Sequence, residues 1–162
     1  MRMSPRSIVR KATLPALAFG LMLPVLAVAH LDDKEPMQSY RQSWFALLGM
    51  NFGPIGAMLK GEMPWDQAKL QMFANDMAAL TSMDVARAFP PGSEQGKTRA
   101  KPEIWDNMDD FKAKLTDLQT AVNQLQAAAA GGDKQEIAQA VGATGKACKS
   151  CHDDYKSKDY LY

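Results

Sequence analysis

Large apolar residues recur along this chain at helical spacing, and no stretch alternates as a half-buried strand would. From Ile104 they fall at Ile104, Met108, Phe111, Leu115, Leu118, Val122 and Leu125, in steps of four and three. That uninterrupted heptad seam predicts a helix packed nearly parallel to its neighbours. Pro102 and Glu103 open it with a proline and an acid, and Gly131-Gly132-Asp133 closes it. The rhythm returns at Ile137, Val141, Thr144, Cys148, Cys151 and Tyr155, predicting a last helix with Asp133 as its N-cap. Both cysteines then face the bundle, and His152, one turn after Cys148, lies on the same side. Gly142 and Gly145 are either close approaches or tolerated weak points of this helix.

Upstream, the pattern predicts a helix from Pro36 to Lys60 with Met37, Tyr40, Trp44, Leu47, Leu48 and Ile55 inward, kinked or cut short at Pro54. A second helix runs from Asp66 to about Met83, with Leu70, Phe73, Met77 and Leu80 inward. The stretch from Asp84 to Lys101, with Pro90, Pro91, Gly92 and Gly96, is the one long connection. Four helices, mostly short links and no strand signal predict an all-α fold, an antiparallel up-down-up-down four-helix bundle.

The first 29 residues stand apart from this pattern. Arg2, Arg6, Arg10 and Lys11 precede an apolar run from Thr13 to Ala29 that ends in Ala27-Val28-Ala29. A basic start, an apolar middle and small residues at the end mark a removed signal peptide. Pro15, Pro24 and the small-residue site argue against a retained anchor. Residues 30–162 then form a single domain of 133 residues that starts at His30. All 18 acidic residues but only 15 of the 19 basic ones lie in it, for a net charge of −3. Lys and Arg are interspersed with acids, so no nucleic-acid surface is expected, and the mature chain has no membrane association. The predicted location is the periplasm.

Residues 148–152 read Cys-Lys-Ser-Cys-His, and Cys148 and Cys151 are the only cysteines. This is the attachment pattern of a c-type haem. Two thiols three residues apart on a helix each reach one vinyl group of the same porphyrin, which predicts one haem c per chain held by two thioethers. His152 is then the axial iron ligand. A thioredoxin-like dithiol would follow a strand in a βαβ unit, and none precedes Cys148. A zinc site would need more thiol or imidazole than the chain offers. A haem-free helical module using the two thiols is the remaining rival.

Four further segments accompany the haem motif: Tyr40-Arg41-Gln42-Ser43, Lys60-Gly61-Glu62-Met63-Pro64, Lys101-Pro102-Glu103-Ile104-Trp105, and Asp153 with Tyr155 after the motif. With them the chain resembles the class II c-type cytochromes, specifically the cytochromes c′, over essentially the whole mature sequence. Cytochromes c′ are themselves a standard example of the four-helix bundle. The resemblance implies that Arg41 and Gln42 contact the haem edge and propionates, and a guanidinium on a buried face needs an anionic partner. It also implies homodimers through the first two helices. Lys156 stands where the family often carries an arginine, keeping the charge without the planar fork.

Function then turns on the other face of the iron. By the resemblance, the residue four after Arg41 points at that face, and low-spin relatives place a methionine ligand there. Here it is Phe45, which cannot ligate. Met50 lies about 140° further round the helix, and methionines in helical bundles are more often core than ligands. The expectation is five-coordinate, high-spin iron beneath Phe45. The pocket would bind nitric oxide and carbon monoxide, because Phe45 provides no donor for dioxygen. Nitric oxide sequestration or sensing with ferric/ferrous cycling is the favoured role. Electron transfer with a redox partner protein is the alternative. No acid/base pair or activated nucleophile accompanies the motif, so no conventional enzyme is expected.

Overall fold

The computed structural model describes residues 35–160. The export segment expected at residues 1–29 lies outside them. Helix α1 (Pro36–Lys60) begins with proline in its first turn, where a missing N–H costs nothing, and continues through Pro54 without ending there. Gly61 stops it in the left-handed conformation (φ 76°), its N–H reaching the carbonyls of Ala57 and Met58. Helix α2 (Gln67–Thr81) is capped by Asp66, whose carboxylate accepts from the Lys69 amide at 3.0 Å.

The predicted third helix is divided. A short α3 (Glu103–Asp106) precedes α4 (Met108–Gly131), and Asn107 between them leaves helical geometry at φ −128°, ψ 45°. The expected uninterrupted seam is therefore broken at Asn107, although Ile104, Phe111, Leu118, Val122 and Leu125 all remain buried. The break is local, because the Asn107 amide still reaches the Glu103 carbonyl and the Phe111 amide reaches that of Asn107, both at 3.0 Å. Gly132 ends α4 with φ 76°, and α5 (Lys134–Tyr155) starts at once. Asp133 caps it as predicted, accepting from the amides of Gln135 at 2.8 Å and Glu136 at 2.9 Å, worth about 1 kcal/mol.

Four long helices pack as a bundle in which α1 lies against α2, α2 against α4, and α4 against α5. Ile55, Leu70, Met77, Val122, Leu125 and Ile137 form its dry centre, each stabilising the fold by roughly 1.5–3 kcal/mol through burial. Two residues expected inside are not: Met37 and Leu47 are exposed. The ring of helices closes poorly between α1 and α5, which touch at few points. Phe52 is at one of them, its Cζ 4.0 Å from where a β-carbon on Gly145 would stand.

The long connection is ordered by α1. A 3-10 turn, Val85–Ala88, begins it. Arg41, buried in α1, then donates to the Ala88 carbonyl (3.0 Å), the Ser93 hydroxyl (3.0 Å) and the Ser93 carbonyl (2.9 Å). Its guanidinium lies 4.8 Å from the Phe89 ring centroid and 5.5 Å from that of Trp105. Further on, residues 98–101 run beside the end of α5, with an antiparallel bridge between Ala100 and Lys156.

Candidate haem pocket

A cavity of about 380 Å³ occupies the gap between α1 and α5, within the range of small-molecule and cofactor sites. Arg41, Gln42, Phe45 and Ala46 line it from α1, and Cys151, His152 and Tyr155 from α5. Phe89, Ile104 and Phe111 supply its apolar floor, and Thr98, Arg99 and Ala100 its edge. The aromatic members brace one another: Phe89 and Phe111 meet at 4.8 Å and Phe111 and Tyr155 at 5.4 Å, both edge to face.

The helical register of α5 carries the chemistry. Cys148 and Cys151, one turn apart, are half-buried, free and packed against the core. Burial pushes both thiols up, Cys151 to about 11 even though the Lys114 ammonium pulls the other way. They also sit near the C-terminal, negative end of a helix, the reverse of the setting that activates a redox dithiol. Cys151 lines the cavity and Cys148, one turn earlier, packs against the core beside it; thiols raised in this way suit covalent attachment of a ligand better than thiol exchange. Among the described residues no three His, Cys, Asp or Glu side chains converge as a metal site, so a zinc centre finds no ligand set.

His152 lines the cavity with part of its side chain open to solvent. Partial burial first, then the charges of Lys156 and Arg99, hold its imidazole below the usual range. The neutral ring, the form that ligates metal, is thereby favoured near pH 7.

The last turn of α5 is gripped by the segment before α3. The Lys101 amide donates to the Tyr155 carbonyl at 3.0 Å, and the Ser157 amide to the Arg99 carbonyl at 2.8 Å. Lys101 Nζ reaches the carbonyls of Asp153 (3.2 Å) and Asp154 (2.9 Å), completing helix-end acceptors that would otherwise lack partners. Arg99 Nε donates to the Ser157 carbonyl at 2.9 Å, and its Nη2 to that of Lys158. Lys101 stands out in the sequence only as part of a family segment and Arg99 not at all, because each acts on backbone more than fifty positions away.

On the α1 wall, Phe45 faces the cavity and packs edge to face on Trp44, whose indole donates to the Leu80 carbonyl at 2.9 Å. Beside Phe45, Gln42 Nε2 donates to the Lys97 carbonyl at 3.0 Å, and Arg41 Nη1 and Nη2 donate to the loop. Burial lowers the Arg41 guanidinium, while Glu35 and Glu94 nearby raise it. Arg41 therefore has carbonyl, hydroxyl and aromatic partners within the protein, in addition to any anion in the cavity. Gln42 is largely exposed. Among the described residues no methionine lines the cavity: Met58 and Met77 are core, and Met50 is 71% exposed.

Two unpaired thiols and an imidazole on one helix, across an apolar cavity from an aromatic wall, fit a c-type haem. Comparison with known proteins agrees. The family model for cytochrome c′ matches residues 37–156. A cytochrome c′ from Cereibacter sphaeroides is 41% identical over 141 residues, covering 85% of this chain and 94% of that protein. Among solved structures, cytochrome c prime from Shewanella frigidimarina superposes with a TM-score of 0.74 at 40% identity, covering 78% of this chain and 98% of the other. A nitric oxide complex of a mutant cytochrome c prime from Alcaligenes xylosoxidans gives 0.69 at 36% identity, covering 76% and 96%. Motif, fold, cavity and relatives converge, and the chain belongs to the cytochrome c′ family.

Proposed function

We propose that this chain is an exported, periplasmic haem c protein that binds nitric oxide and carbon monoxide at one open iron face, with nitric oxide sequestration or sensing as its role. One haem per chain is held through Cys148 and Cys151, with His152 as the sole protein ligand to five-coordinate iron. Bound haem supplies an iron that accepts diatomic ligands and cycles between ferric and ferrous states. The carrying observation is that His152 and Phe45 line the same cavity from different helices while, among the described residues, no methionine lines it.

Each residue then has a defined task. The two thiols tether, and the clasp by Arg99 and Lys101 holds the turn that presents His152. Phe45 keeps the facing wall apolar, so water there would lack hydrogen-bond partners. Phe45 itself offers no donor to favour dioxygen, and Gln42 and Arg41 each spend donors on loop acceptors. Arg41 and Gln42 remain the proposed contacts to the haem edge and propionates. That the Alcaligenes relative was solved as a nitric oxide complex supports the ligand class. Exposed Leu47 and Met50 on α1 and Met72 on α2 support a homodimer seam.

Intact mass of the secreted protein tests the foundation. Chain cleaved after Ala29 and heavier by one haem is expected. The bare mass of that chain, isolated from cells with a working c-haem assembly system, would contradict the proposal.

A further inference from the structure

Five basic side chains, Lys97, Arg99, Lys101, Lys156 and Lys158, occupy the two short segments that run side by side at the cavity edge. Arg99 and Lys156 line the cavity itself. Residues 97–101 contain no acid and residues 156–160 only Asp159, so the paired segments carry a formal +4. The mature chain as a whole carries −3.

Among the described residues, none of these five cations lies within ion-pair distance of a carboxylate. The ion pairs among the described residues involve Lys69 with Asp66, Lys114 with Asp110 and Asp154, and Lys149 with Asp153. Arg99 and Lys101 direct their donors to backbone carbonyls, which orders the side chains without cancelling their charge. Lys97 lies 5.4 Å from the Tyr160 ring centroid.

We infer that this basic strap is the docking surface for an acidic protein that exchanges electrons with the iron. The inference rests on the haem reading above and goes beyond it by naming the face and the sign of the partner. A negatively charged molecule is repelled by the net charge of the protein and attracted locally by this strap, so the field orients the encounter toward the cavity. An anionic membrane would extend past the strap onto the rest of a chain whose net charge is negative.

Stopped-flow oxidation of the reduced, haem-loaded, full-length mature protein by ferricyanide tests this. One electron passes from protein to ferricyanide, giving ferrocyanide. Between roughly 0.01 and 0.3 M salt the rate should fall about fivefold, because screening weakens local attraction. Oxidation by cationic hexaammineruthenium(III) should not slow in parallel. Poly-L-glutamate should inhibit the ferricyanide reaction, and the Lys97→Glu/Lys158→Glu double variant should abolish both effects. A ferricyanide rate that rises with salt in the native protein would overturn the inference, since net charge would then govern approach. So would a double variant that behaves like the native protein, or phosphatidylglycerol vesicles that inhibit as strongly as polyglutamate. A protein without haem would show no redox-dependent absorbance and would remove the underlying reading instead.

Discussion

The Tyr155 hydroxyl donates to Asp110 Oδ2 at 2.6 Å, joining the last turn of α5 to the first turn of α4. Lys114 extends the link, with its ammonium 2.9 Å from Asp154 and 3.9 Å from Asp110. The turn that carries His152 is thus fastened from α4 on one side and by residues 99–101 on the other.

Tyr155→Phe should keep the edge-to-face contact with Phe111 and lose the hydrogen bond, lowering stability by roughly 1 kcal/mol. The native bond also has a pH signature. Burial first, and then the bond to Asp110, push the phenol up to about 12. A raised folded-state value means this contribution is complete below about pH 10, the ordinary tyrosine value, and is lost as pH climbs toward about 12. Urea titrations across that range should show the native protein losing stability more steeply than Tyr155→Phe. Parallel curves would contradict the assignment.

Lys101→Met should retain the backbone bond to Tyr155 but leave the carbonyls of Asp153 and Asp154 without their ammonium. A cation at a helix C-terminus contributes about 0.3–1 kcal/mol. Amide exchange at Lys101, Lys156 and Ser157 should quicken more than in the centre of α5. Uniform protection would show that the side chain clasps nothing.

Much of this arrangement was legible beforehand, for identifiable reasons. The run from Ile104 to Leu125 keeps one face inward at a fixed period, so the helix showed through its side chains. The break at Asn107 did not, because the apolar spacing passes across it unchanged. Met37 and Leu47 show the converse, since apolar character alone cannot distinguish a core position from an exposed one on the same helix. The motif of Cys148, Cys151 and His152 stood out by its spacing, and position 45 was singled out only through family resemblance. The clasping roles of Arg99 and Lys101 were not legible, because their partners are main-chain atoms that any sequence would supply.

The thiols of the haem-free chain should be sluggish. With Cys151 raised to about 11 and Cys148 raised by burial, alkylation near pH 7 should be much slower than for an unperturbed thiol and should accelerate only at strongly alkaline pH. Rapid modification at neutral pH would revive the thiol-pair alternative.

Phe45→Met places a thioether on the wall facing the cavity from α1. The haem-loaded variant should show sharp low-spin absorption bands and a weakened response to carbon monoxide. A spectrum like that of the native protein would mean that position 45 does not face the iron.

The most direct measurement of the central claim is the absorption spectrum of the reduced, haem-loaded native protein with and without carbon monoxide. An iron bound by His152 alone should give broad high-spin bands that shift on addition of the gas. Sharp low-spin bands that carbon monoxide leaves unchanged would show a second protein ligand and contradict the open-site account.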